Sequence, residues 1–185
     1  MRTVLTGDLG RRLSAVAALG VVLAVDAVLA AGQRPIVVVG LLDEPAHLLT
    51  AWLVLAALLP DRHGDLLPWA LLGAVVIDVD HVPLYLWGVG AADGGRPVTH
   101  SLSTVVLLLV LSTGRRLRTP VLGLALGVPL HLTRDLFTGP GVPLFWPTSD
   151  ANLLLPYPVY AGLLCVVTAV VVMRAGQSRR VSTAR

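Results

Sequence analysis

The chain reads as a succession of long apolar blocks separated by short polar ones. The blocks occupy roughly Leu13–Ala31, Pro45–Leu59, Leu66–Leu86, Thr99–Thr113, Pro120–Phe137 and Ala151–Met173. A helix that crosses a bilayer needs about 20 predominantly apolar residues. The first and last blocks reach that length unaided. The four middle blocks are short or polar at one end, which helices packed inside a bundle tolerate. The pattern predicts an all-α, polytopic bundle of about six transmembrane segments. It predicts one domain over residues 1–173, followed by a polar, disordered cytoplasmic tail over 174–185. Arg11 and Arg12 ahead of the first block, with small residues near Ala30, imitate a signal peptide. The length of that block, its Asp26 and the apolar blocks behind it favour an uncleaved first span.

Composition points the same way. Of 185 residues 55% are hydrophobic and 14% charged, against about 25% charged in soluble domains. The mean hydropathy is +0.80. The 14 basic residues are all arginine and are scattered among the connecting segments, which gives no nucleic-acid footprint. The single cysteine, Cys165, excludes an intramolecular disulfide and a thiolate zinc site.

Arginine placement sets the expected orientation. With the N-terminus in the cytoplasm, Arg2, Arg11, Arg12, Arg62, Arg115, Arg116, Arg118, Arg174, Arg179, Arg180 and Arg185 fall inside. Only Arg34, Arg96 and Arg134 fall outside, a clear positive-inside bias. Both termini are then cytoplasmic, and the number of spans is even. On this topology the other ionisable residues gather toward the outer side. Asp43, Glu44 and His47 open the second span, Asp78, Asp80 and His81 lie in the outer part of the third, His100 opens the fourth, and His131, Arg134 and Asp135 close the fifth.

Spacing adds chemistry. Asp43 and His47, and His131 and Asp135, are four residues apart; Asp78 and His81 are three apart. Each pair shares a helix face. Asp80 leaves the face of Asp78 in a regular helix, and Pro83 is placed to loosen the helix so that both carboxylates turn inward. Imidazole and carboxylate donors without thiolate suit zinc, manganese or iron. Blander roles compete. A lone histidine or acid in a span also serves as a helix–helix hydrogen-bonding group. Asp43 and Glu44 ahead of Pro45 suit a helix N-terminus. His63 in Pro-Asp-Arg-His-Gly reads as a turn residue. For Asp78, Asp80 and His81 the bland reading is weak, because three ionisable groups within an apolar segment are costly unless bound to something. Arg96 and Arg134 suit phosphate recognition by paired hydrogen bonds; their alternatives are interface anchoring or a salt bridge to the acids.

Several blocks then carry a resemblance. Ile-Asp-Val-Asp-His at 77–81, Arg-Pro-Val-Thr-His-Ser at 96–101, His-Leu-Thr-Arg-Asp-Leu-Phe-Thr at 131–138 and Gly-Val-Pro-Leu-Phe-Trp-Pro at 141–147, behind an early helical His47, resemble the YdjM-like family. These are bacterial inner-membrane proteins described as metal-dependent hydrolases and distantly related to zinc-dependent phospholipase C. The resemblance covers roughly His47 to Pro147, and Ile77 stands where the family usually has proline. It implies a divalent metal, most readily zinc, held among His47, Asp78, Asp80, His81, His100, His131 and Asp135. The resulting expectation is a hydrolase at the outer face of the inner membrane, acting on a phosphoester such as a phospholipid or lipid phosphate. Asp78, Asp80 and Arg96 would serve in catalysis, and Arg96 and Arg134 would bind substrate. The rival readings are a metal-free lipid phosphatase, a membrane metalloprotease, a metal or proton transporter, and a scaffold that keeps a structural metal. The first lacks the serine-glycine-histidine order, and the second lacks His-Glu-x-x-His. A transporter needs polar groups at both faces, whereas the cytoplasmic halves of these spans are apolar.

Overall fold

A computed structural model describes residues 2–59, 64–87 and 95–182. His63 lies outside them. The described chain is helical, with α1 over Arg2–Ala30, α2 over Ile36–Leu58, α3 over Leu66–Val76, α4 over His81–Trp87, α5 over Leu102–Leu111, α6 over Arg118–Asp135 and α7 over Tyr157–Ser182. A 3₁₀ turn over Ile77–Asp80 joins α3 to α4. Four stretches are long and apolar enough to cross a membrane: Gly7–Ala30, Val37–Leu58, Leu66–Pro83 and Tyr157–Ala175. The protein is an all-helical membrane protein. α5 has 10 residues and α6 has 18.

The chain divides into two compact units, residues 1–62 with 161–185, and residues 63–160. In the first, α2 begins at Ile36 and carries Pro45 in its interior. The expected helix start at Asp43-Glu44-Pro45 is therefore displaced by about two turns. The apolar residues Ile36–Leu42 extend the helix backward, and proline is tolerated inside membrane helices. The last carbonyls of α2 have no partner within the helix. Arg11 Nη2 donates to Ala56 O at 3.3 Å, and Arg174 Nη1 donates to Ala57 O. α7 runs on to Ser182, through most of the stretch expected to be disordered; Ala, Arg and Gln there are good helix formers, and the ladder propagates from the apolar segment.

The second unit is built on close contact between α3 and α6. A Cβ on Gly73 would stand 2.7 Å from Leu124 O. A Cβ on Gly123 would strike Trp69 Cβ, and one on Gly127 would strike Ala70 O. Gly123 and Gly127 form a Gly-x-x-x-Gly pair, which lets two backbones meet. Leu66 and Trp69 face Gly123, Ala70 faces Gly127, and Ala74 faces His131. Residue numbers rise together along both helices, so α3 and α6 run parallel. Their ends, at Asp78–His81 and at His131–Asp135, come out side by side. Ile77, Val128, Leu132 and Val142 form the buried core under those ends. The loop after α6 closes on itself through a paired bridge between Val142 and Leu153, and Leu102 N at the start of α5 donates to Leu144 O at 3.0 Å.

Candidate metal centre

Three segments of the second unit supply the polar groups. The first is the 3₁₀ turn. Pro83 has no N–H, and its ring crowds the carbonyl four residues back, at Val79. The helix tightens into a 3₁₀ turn over Ile77–Asp80, where the position of Pro83 predicts a loosened helix, and both carboxylates come round to the same neighbours. His81 Nδ1 lies 3.2 Å from Asp78 Oδ1 and 3.0 Å from Asp80 Oδ1. His100, from the second segment, places Nε2 2.9 Å from Asp78 Oδ1 and Nδ1 3.1 Å from Asp80 Oδ2. Thr99 Oγ1 donates to Asp80 Oδ2.

The third segment is the end of α6. Ala74 belongs to the last turn of α3, where the α ladder stops and carbonyls are released. His131 Nδ1–H donates to Ala74 O at 2.9 Å. That bond fixes the neutral tautomer with the Nε2 lone pair aimed at the cluster, the arrangement in which histidine binds metal. His131 Nε2 stands 2.9 Å from Asp135 Oδ2 and 3.4 Å from Asp78 Oδ1. His100 Nε2 stands 3.7 Å from Asp135 Oδ2.

Asp78 Oδ1, His100 Nε2, Asp135 Oδ2 and His131 Nε2 therefore form a closed ring with sides of 2.9, 3.7, 2.9 and 3.4 Å. Four donors about 2.0–2.2 Å from one zinc ion at tetrahedral angles stand roughly 3.3–3.6 Å apart. The donor set fits a divalent cation in chemistry, and each neighbouring pair in the ring lies near that spacing. Charge agrees. Three carboxylates and Arg96 sum to two negative charges while the histidines are neutral, and a divalent cation cancels them. His100 lies in the segment before α5. Burial opposes its charge, but the Asp78 and Asp80 carboxylates outweigh burial and raise its pKa. A cation bound there displaces a proton, so uptake weakens as pH falls.

Both arginines expected to bind substrate, Arg96 and Arg134, are buried. Arg96 is 8% exposed, and its Nη2 lies 2.7 Å from Asp135 Oδ1. Gly139, at φ +63°, leaves room for that guanidinium; a Cβ there would stand 3.1 Å from Arg96 Nη2. Arg134 is buried and donates from Nη1 to Thr138 Oγ1 at 3.3 Å. The alternative of a salt bridge to the acids describes Arg96. His47 stands on α2 in the first unit, with Nε2 3.6 Å from Asp43 Oδ2. Thr99 and the Ala74 carbonyl escaped the sequence reading. Thr99 carried a signal, as a hydroxyl beside His100; a backbone carbonyl carries none.

Comparison with curated proteins and with solved structures returns no match. A family model described as YdjM inner membrane protein matches residues 14–184. The match extends beyond the His47–Pro147 blocks and takes in the first span and nearly all of the tail, so the chain belongs to the YdjM inner membrane protein family.

Proposed function

We propose that this protein is a membrane-embedded, metal-dependent hydrolase that cleaves a phosphoester at the outer face of the bacterial inner membrane. The observation that carries the reading is the ring of four donors, two of them histidines, at the end of an apolar helix pair. When bound, a divalent cation supplies Lewis acidity toward water and a phosphoryl oxygen. The chain's own groups do the rest. The Ala74 carbonyl orients His131, and Arg96 orients Asp135. A carboxylate oxygen of Asp78 or Asp80 left free by the cation accepts the proton of the attacking water. Asp78–His81 lie within the last six residues of the Leu66–Pro83 apolar stretch. That depth, at the membrane boundary, suits a phosphoester carried on a lipid. Purified protein assayed on lipid and water-soluble phosphoesters tests the reading. Hydrolysis that His131→Ala abolishes supports it; equal rates in the two proteins refute it.

The proposed topology has six spans with both termini in the cytoplasm. Parallel α3 and α6 support it, because the chain between them must return across the same thickness through α5. From Val105 to Leu111 the residues of α5 are apolar, and Val106, Leu107, Val110 and Leu111 are exposed, as a lipid-facing segment requires. Arg11 and Arg174 meet adjacent carbonyls of α2, which favours an even number of crossings. With Cys165 replaced by Ala, a cysteine at Asp150 should react with an impermeant thiol reagent on intact cells, and one at Arg116 should not. The opposite labelling would reverse the orientation.

Arg96 gives a further expectation. Its ion pair with Asp135 predicts that Arg96→Ala lowers metal affinity by ~10–100-fold, the range for partners that orient a ligand. Arg96→Lys should recover part of the loss, since the charge remains without the planar fork. Titration of the three proteins with zinc checks this; unchanged affinity in Arg96→Ala would return Arg96 to a substrate role.

A further inference from the structure

The six donors of the second unit do not collapse onto one point. Asp78, Asp80, His81 and His100 form one group of ligand atoms within 4.8 Å of one another, and His100, His131 and Asp135 form another. The ring already described uses Asp78, His100, His131 and Asp135 and satisfies the coordination number of one tetrahedral cation. Asp80 Oδ1 and His81 Nδ1 are left over. They stand 3.0 Å apart, and His81 Nδ1 is 3.2 Å from Asp78 Oδ1. These separations again suit ligands of one metal. Asp78 Oδ1 is thus near three different imidazole nitrogens, at 2.9, 3.2 and 3.4 Å. A carboxylate in that position is placed to bridge.

We infer that the centre binds two divalent cations, one in the ring and a second on Asp80 and His81, with Asp78 shared between them. This rests on the metal-dependent reading above and adds the number and ranking of the cations. The two positions differ in environment. His100, His131 and Asp135 have side chains at 0% exposure, whereas Asp78, Asp80 and His81 are 12–19% exposed. The first cation neutralises the cluster, so the second binds without that net attraction and with two residues of its own. It is the weaker and the more readily exchanged, with coordination positions left for water or an anionic substrate. Cations of two-metal sites lie about 3.5–4 Å apart, close enough to share one carboxylate.

The test is equilibrium dialysis of purified full-length protein against Mn²⁺, with metal counted per chain and electron paramagnetic resonance recorded on the same samples. Wild-type protein should take up two equivalents, the second at least 10-fold more weakly, with the spectrum of an exchange-coupled pair when full. His81→Ala and Asp80→Asn should each retain one equivalent and give an uncoupled spectrum. One equivalent at saturation in the wild type, or two equivalents without coupling, overturns the inference while leaving a mononuclear hydrolase intact. Loss of all metal from both His81→Ala and Asp80→Asn, in protein that still elutes as a monodisperse species, also overturns it. No metal in the wild type would remove the metal-dependent reading itself.

Discussion

His131→Ala should empty the buried half of the centre. His131 is fully buried, receives no help from solvent, and presents one fixed nitrogen because Ala74 O holds the other. Removing it opens the ring between Asp78 and Asp135 and leaves His100 as the one imidazole between their carboxylates. Zinc affinity should fall by more than the ~10–100-fold that follows loss of a mere orienting partner, and hydrolysis should fall with it. Metal per chain and turnover must be measured on the same preparation, beside a thermal melt that separates metal loss from misfolding. His47→Ala in the same series decides whether the first unit supplies a ligand. Wild-type metal content in folded His131→Ala would place the centre elsewhere.

Gly127→Leu should prevent the second unit from folding. Even a Cβ at Gly127 would overlap Ala70 O, and the side chain of leucine has no path between the two backbones. Overpacking a fitted contact costs about 1–3 kcal/mol when neighbours can shift; here the neighbour is helix backbone, which shifts only by parting the helices. The parallel register carries Ala74 to His131, so parting α3 from α6 also misaligns the donors. The expected result is aggregated protein in detergent and no bound metal. Gly73→Ala, against Leu124 O, should be milder and show a lowered melting temperature. Gly162→Leu serves as the comparison, because a Cβ there meets nothing within 4 Å. A folded, metal-loaded Gly127→Leu would contradict the close helix contact.

Much of this was legible in the chain. Apolar blocks are read directly as membrane helices because a span has no water to satisfy its backbone, so helix and hydropathy coincide. The Asp-x-Asp-His block stood out because ionisable groups are expensive in such segments. Pro83 signalled a break in the regular helix, but the turn is tightened and not loosened: a 3₁₀ turn brings Asp78 and Asp80 to His100. Other features were hidden for physical reasons. The start of α2 was misplaced because proline marks a helix start in water but is tolerated within a membrane helix. The Gly123–Gly127 spacing was visible, yet its partner face on α3 is known only once the helices are paired. The ion pair of Arg96 with Asp135 was hidden because a sequence shows a charge and not its neighbour; it depends on a fold that brings residue 96 beside residue 135. The end of α7 follows from helix propagation and not from hydropathy.

The central claim is that this cluster holds a catalytic divalent metal. It is tested most directly by stripping purified protein with a chelator and restoring zinc or manganese while following hydrolysis of a phosphoester and metal per chain. Activity that disappears with the metal and returns with it in proportion to the bound equivalents is the predicted result. Hydrolysis that persists in fully stripped protein, or wild-type protein that binds no divalent metal at any concentration tried, would contradict it.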